Sequence, residues 1–238
     1  MGRGERGFYM QTEASREEGE RLPRSFFTRD GITVAKELLG KILVHETVEG
    51  TVRGIITEVE SYMGESDKGS HTYGGKRTER TEPMYHIGGT SYVYLIYGMY
   101  SCMNIAAMTR DIPQAVLLRS VVPADGESRR RMTALRLEEF NRKRQKKGLA
   151  PYGPKECPAS LTKHLADGPG KMCIAMGISR ADNDKDMVAS GDFYVTEGVR
   201  IRQEDIMAGK RIGIDYAGEA ADYLWRFYIN GTVVHEKK

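Results

Sequence analysis

The segment GIITEVESYMG carries two carboxylates and a phenol at alternate positions, Glu58, Glu60 and Tyr62. In an extended strand successive side chains point to opposite faces, so these three share one face while Thr57, Val59 and Ser61 take the other. A carboxylate beside an aromatic wall can polarise a water for attack, because a general base must be ionised and within hydrogen-bond reach of the proton it removes. Acids two apart are equally the ordinary surface of an exposed strand, and on spacing alone Glu58 is as good a base as Glu60. The polar, glycine-punctuated stretch from Gly64 to Gly89 that follows is a loop of a length compact domains keep for function. His71 lies in it, able to stack on a ligand or hydrogen-bond it. No second histidine or cysteine stands near His71 at ligand spacing, so no metal site is expected.

Seven of the 13 tyrosines fall between Tyr62 and Tyr100, where even spreading would put about two. Tyrosine joins a flat π-face to a polar tip, which suits a base-stacking platform, and its strand propensity suits a sheet core equally well. In YVYLIYGMY, Tyr92 and Tyr94 share a strand face, and Gly98 breaks the strand so that Tyr97 and Met99 stand near a hairpin tip. An apolar or aromatic side chain at such a tip can wedge between bases. Asn104 and Arg119 interrupt the otherwise apolar strands SCMNIA and AVLLRSV, so each must pair inside the fold or face a cavity.

The elements that would position these residues read as α+β. ITVAKELLGK has helical spacing and stops at Gly40; KILVHETV and VRGIITEVESYM read as a hairpin turning at Glu49 and Gly50. TSYVYLIYG, MYSCMNIAAM and QAVLLRSVVP are strands, and LTKHLADGPGKMCIAMGI is two helices about a Gly-Pro-Gly turn. FYVTEGVRI, KRIGIDYAG and WRFYING return to strands. Residues 1–21 form a mobile tail and 22–238 one domain with an antiparallel sheet, as 238 residues allow. Cys102, Cys157 and Cys173 are odd in number and lack a CxxC pair, which argues against a disulfide framework and against a thiolate zinc site. No apolar run could span a bilayer and the N-terminal stretch lacks the apolar core of a signal peptide, so a soluble, intracellular protein is expected. Nucleotide-loop, zinc-protease and nucleophile-elbow motifs are missing, and no cofactor is expected. Charge is uneven: nine Lys or Arg and two Glu lie between Arg129 and Lys147, a local +7 in a chain of net charge +3, leaving −4 elsewhere. That segment reads as a helix docking Met132, Leu135, Leu137 and Phe140 and exposing a basic face, either simply solvated or facing nucleic acid.

In order and spacing, TEVESYMGESDKGSH, GTSYVYLIYGMYSCMNI, AVLLRSVVP, GPGKMCIAMGI and RIGIDYAGEAADYLWRFYI resemble the alkyladenine (3-methyladenine) DNA glycosylase family over roughly Phe26 to Ile229. The resemblance implies a curved antiparallel sheet with a protruding hairpin and surrounding helices. It implies base excision repair in which a monomer, without cofactor or metal, binds damaged double-stranded DNA and flips out an alkylated purine. Hydrolysis of the N-glycosidic bond would then leave an abasic site. The substrate would be 3-methyladenine, with 7-methylguanine, hypoxanthine and ethenoadenine as further candidates. Glu60 matches the acid that activates water and Arg119 an arginine that helps place it. Tyr62, His71 and Tyr94 match the side chains around the extruded base, Asn104 the residue that screens purine substituents, and Tyr97 the residue that fills the gap in the duplex. A main-chain carbonyl around Ile212 to Ile214 matches more loosely. The chain departs from the family in an insertion-like MTRDIP before the Arg119 strand, and in Glu79 and Glu82 within a loop expected to be basic. A binding module without catalysis, or a glycosidase acting on nucleosides or RNA, would share the aromatic patch.

Overall fold

The computed structural model describes residues 19–153 and 156–231. Two short helices lead into the sheet: α1 (Arg24–Phe27) and α2 (Gly31–Leu38). The Asp30 side chain accepts from the Ile32 and Thr33 amides at the head of α2, satisfying donors that a helix start leaves orphaned. Its tail ends before Gly40, whose φ of +86° and an approach of the Val199 carbonyl to 2.2 Å from where a Cβ would stand admit only glycine. Then come β1 (Ile42–Thr47) and β2 (Gly50–Tyr62), the short helix α3 (Glu82–Tyr85), β3 (Ser91–Ile96), β4 (Tyr100–Ala107) and β5 (Gln114–Pro123). The long helix α4 (Gly126–Lys146) is followed by α5 (Ala159–Lys163), α6 (Pro169–Met176), β6 (Phe193–Thr196), β7 (Ile206–Gly209) and β8 (Arg226–Ile229).

All strand pairings are antiparallel and the sheet is curled, as expected for an α+β domain of this kind. The order is β3-β4-β5-β2-β1-β6, with β8 on β2 and β7 on β8. β2 is the organising strand: β5 runs along one edge, while β1 takes the first half of the other edge and β8 the second. One face of β2 carries Val52, Ile56 and Val59 into the main core, with Leu43, Val93, Met103, Ile105 and Leu118 from other strands, Val34 and Leu38 from α2, Met132 from α4 and Met172 and Met176 from α6. Burying that much apolar surface on one side leaves the opposite face of β2 to β5 free for polar work.

Several boundaries differ from those the sequence suggests. The β1–β2 turn is Val48–Glu49, with Gly50 already paired to Thr47 in the strand. KRIGIDYAG is not a strand: Gly213 has φ +83°, the Ile212 amide is spent on a side chain, and Asp215–Asp222 coil into 3-10 turns, so the pairing strand lies earlier, at β7. Within 64–89 the chain folds into short helical turns rather than open loop, tied down by a fully buried ion pair between Asp67 and Arg211. In α4 only Met132 and Leu137 of the expected stripe are buried, and Phe140 instead lies half-exposed beside Tyr152. Residues 1–18 of the expected tail lie outside the described residues, whereas Glu20 and Arg21 already pair with Glu197 and Thr196. No helix among the described residues is long and apolar enough to cross a membrane.

Candidate active site

The strand register explains why residues far apart in sequence converge. Tyr92 on β3 stands opposite Asn104 on β4, Asn104 opposite Leu117 on β5, Leu117 opposite Glu60 on β2, and Glu60 opposite Arg226 on β8. Directly paired residues point to the same face. Tyr92, Asn104 and Leu117 of this row line a cavity of about 540 Å³, a volume typical of small-molecule sites, and Glu60 and Arg226 continue the row beyond its lining. Tyr94 pairs with Cys102 one step along, and both line it.

Arg119 enters by a different device. Between Ile56/Val121 and Glu58/Ser120 the strand β2 carries one extra residue, Thr57; between Glu58/Ser120 and Val59/Leu118 the strand β5 carries one, Arg119. Bulges of this kind re-aim side chains, and here the guanidinium is laid between the two acids. Arg119 Nε donates to Glu58 Oε1 at 2.9 Å and its Nη1 lies 3.1 Å from Glu60 Oε1. Burial alone would lower its pKa, but the two carboxylates outweigh burial and the net shift is upward, so the group stays a cation.

Glu60 has no exposed surface and stands just behind the cavity wall. Its Oε2 accepts from the Tyr62 hydroxyl at 2.8 Å and its Oε1 from the Ile212 amide at 2.8 Å as well as facing Arg119. These three partners all line the cavity. A carboxylate, which only accepts, matches three converging donors. Glu58, 3% exposed, has both of its bonds to arginines, Arg119 and Arg226. Neither acid is the exposed strand face that spacing alone allowed.

The walls are aromatic. His71 meets Tyr94 edge-on at 4.7 Å between ring centroids and its Nδ1 lies 2.9 Å from the Tyr92 hydroxyl, while Tyr92 and Tyr94 are 5.2 Å apart. Burial, helped by Arg80 and Lys76, pulls the His71 pKa down to about 4, so the ring is neutral near pH 7. Burial and the Glu60 charge push the Tyr62 phenol well above its ordinary value, and burial pushes the Cys102 thiol up to about 11, which leaves both protonated. Asn104 is buried on the wall and donates to the Tyr92 carbonyl at 3.2 Å. Arg211, bound to Asp67, lies 4.7 Å from the Tyr62 ring centre and holds that wall from behind.

Tyr97 and Met99 stand at the β3–β4 tip, 83% and 71% exposed, and Tyr97 borders the cavity mouth. Of the residues expected at the site, Met99 lies on the exposed hairpin tip outside the cavity lining, Glu60 stands directly behind the wall, and Arg119, Tyr62, His71, Tyr94, Asn104 and Tyr97 line the cavity. The Ile212 to Ile214 segment is there too, though its visible contribution is an amide to Glu60 rather than a carbonyl. Tyr92, Cys102, Arg80 and Tyr216 line the cavity as well, beyond the residues to which the sequence points. Tyr92 was legible from its phase with Tyr94; Tyr216, in a segment whose pattern is that of a strand, had no such signal. Among the described residues no group of three or more His, Cys, Asp or Glu could hold a metal ion.

A curled antiparallel sheet holding buried acids behind an aromatic cavity, with an exposed hairpin tip near the mouth, is the concave site of an enzyme rather than a flat binding surface. Residues 25–233 match the sequence profile of the methylpurine-DNA glycosylase (MPG) family, and the chain belongs to that family. It is a DNA glycosylase, a hydrolase of base excision repair. Among its relatives, proteins named "Putative 3-methyladenine DNA glycosylase" are 43% identical over 219 residues in Clostridium perfringens (strain SM101 / Type A), covering 92% of this chain and all of that one. The protein of that name from Clostridium acetobutylicum is 46% identical over 216 residues, 89% of this chain and 95% of its own. The one from Clostridioides difficile is 40% identical over 216 residues, 87% of this chain and all of its own.

Proposed function

We propose that this glycosylase extrudes an alkylated purine, 3-methyladenine above all, from duplex DNA into the cavity and hydrolyses its N-glycosidic bond with water activated by Glu60. The carrying observation is that Glu60 is buried directly behind the cavity, with its three hydrogen-bond partners all forming the cavity wall. A base stacked in a duplex hides its glycosidic carbon, so excision requires extrusion at a cost of about a few kcal/mol, least for a poorly paired lesion. Tyr97, at the exposed tip, fills the gap left behind, with Met99 beside it.

Alkylation at N3 makes the purine a cation and a good leaving group. The faces of Tyr62, Tyr92 and Tyr94 attract such a cation, and a neutral His71 does not repel it. As the bond breaks, its electron pair leaves with the base and the sugar becomes oxocarbenium-like, which the Glu60 carboxylate stabilises. The water oxygen bonds the sugar carbon and its proton passes to Glu60. Both Glu60 oxygens are engaged in the structure, so that water takes the place of one donor. The Tyr62 hydroxyl is the one free to turn away, since Arg119 is tied to Glu58 and Ile212 contributes main chain. No lysine lines the cavity among the described residues, which supports water rather than an amine as nucleophile and an abasic site as product. The protein acts as a monomer and needs no cofactor for this step.

The test is release of free 3-methyladenine from methylated duplex DNA. Glu60→Gln loses on the order of 10²–10⁴ in single-turnover rate while lesion-duplex affinity stays within twofold. Activity in Glu60→Gln with a dead Glu58→Gln would transfer the role to the neighbouring acid; activity on free nucleosides or RNA alone would replace the reading.

A further inference from the structure

Glu58 is a second buried acid that the mechanism does not use. It lies 3% exposed on the same face of β2 as Glu60, and, unlike Glu60, it touches the cavity wall only through Arg119. Its Oε1 accepts from Arg119 Nε at 2.9 Å and from Arg226 Nη1 at 3.1 Å. Arg226 is in turn fixed by its Nε donating to the Lys210 carbonyl at 2.8 Å, at the root of the segment whose Ile212 amide reaches Glu60. Four side chains therefore alternate in charge, Arg226, Glu58, Arg119, Glu60, and the two ends of the Arg119 fork are held by different acids.

We propose that Glu58 is the positioning residue of this site: by holding Arg119 Nε it stops the guanidinium from closing face-on upon Glu60, so that one nitrogen reaches Glu60 and the rest of the fork borders the cavity. A guanidinium prefers a bidentate grip on a single carboxylate, which would consume both Glu60 oxygens and shut the attacking water out. Sharing the fork between two acids prevents that grip. The bulge at Arg119 and the bulge at Thr57 belong to the same device, since together they place the arginine between Glu58 and Glu60 instead of opposite either. Burying two acids with two arginines also leaves the cluster neutral, which a low-dielectric interior requires. The inference rests on the reading of Glu60 as the base.

The experiment compares single-turnover base release and lesion-duplex affinity for the full chain and for Glu58→Gln, Glu58→Asp, the charge-balanced pair Glu58→Gln with Arg226→Gln, and Glu60→Gln. Glu58→Gln is expected to lose on the order of 10²-fold in rate, the scale of a misplaced catalytic group. Its affinity should hold within twofold. Glu58→Asp, which keeps the charge, should lose less than tenfold. The double variant, with one acid and one arginine left, should melt like the parent and remain slow. A Glu58→Gln rate within threefold of the parent, with Glu60→Gln dead, overturns the role of Glu58 and leaves that of Glu60. A double variant restored to full rate makes Glu58 a charge-balancing residue only and also overturns the proposal. Equal losses in rate and affinity, no better in Asp than in Gln, mark a structural residue and do the same. Activity in Glu60→Gln fails the underlying reading and is separately visible.

Discussion

At the scale of single residues, the site separates protonation states by surroundings. His71 is the sharpest case: packed against Tyr92 and Tyr94 with Arg80 and Lys76 close by, it is held neutral down to about pH 4, whereas an unfolded histidine protonates near 6.5. Between those values the unfolded chain binds more protons at this position than the folded one, so folding stability falls as pH drops from about 6.5 to 4. His45 works in the opposite sense. Burial alone would lower its pKa, but Asp182 and the Met176 carbonyl raise it, so its contribution is complete below 6.5 and fades as pH rises through its folded value. Replacing His71 with Gln removes only the first effect. Thermal melts of both proteins from pH 7 to 4 should show the variant's melting temperature falling less steeply than the parent's, and parallel curves would refute the buried, neutral ring. The same residue shows what spacing alone reveals: a histidine in a glycine-bounded loop was visible as a ligand contact, but its neutrality depends on tyrosines some twenty positions away that only the β3 register brings to it.

At the scale of elements, the β3–β4 hairpin carries a cost that the sheet does not need. Its three-residue loop holds Tyr97 at φ +53° and Gly98 at +65°, and Tyr97 is 83% exposed, so nothing is gained by packing its ring. A left-handed conformation costs a bulky residue about 1 kcal/mol, and a solvated tyrosine there does not repay it. Glycine would relieve the strain but give back roughly 0.5–1 kcal/mol in unfolded-chain entropy. Tyr97→Gly should therefore melt within a degree or two of the parent while its affinity for lesion duplex drops at least tenfold and its affinity for undamaged duplex much less. Equal losses on both DNAs would deny the tip its role in filling the gap. Strands such as β2 to β5 were legible because one face had to be apolar to build a core, and alternation followed. The bulges at Thr57 and Arg119 were not, since an extra residue in a ladder leaves the hydrophobic pattern almost unchanged. Nor was the non-strand at Lys210–Ile214, whose apolar alternation is genuine but whose Ile212 amide is taken by Glu60, a partner supplied by the fold and not by neighbouring residues.

At the scale of the whole molecule, the chemistry and the charge occupy different parts of the chain and meet where α4 reaches the hairpin. Lys143 of α4 donates to the Tyr100 hydroxyl at 2.9 Å, and Tyr100 opens β4 immediately after the exposed tip. Arg129, Arg136 and Lys143 follow one another by seven residues and so share a stripe of the helix, with Lys147 just past its C-terminal end, and the Lys143–Tyr100 bond aims that stripe beside the root of the hairpin. Arg130 and Arg131 pair with Glu127, and Arg142 and Lys143 with Glu139, so part of the local charge is compensated within α4. The 21 residues of α4 span about 30 Å, the length of roughly nine base pairs. A stripe of that length beside the tip can follow the phosphates flanking a lesion, but it cannot read which base has been extruded, because phosphates carry no sequence information. Changing Arg129, Lys143 and Lys147 to Gln together should lower the slope of log affinity against log salt by up to about 2.7, at about 0.9 for each phosphate no longer neutralised. Affinity should fall equally for undamaged and lesion duplexes, with the released base unaltered. An unchanged slope would leave α4 as a solvated helix that serves the fold through Met132 and Leu137 alone, whereas a weakening confined to lesion DNA would put its charges in base recognition, where the tyrosines of the cavity stand.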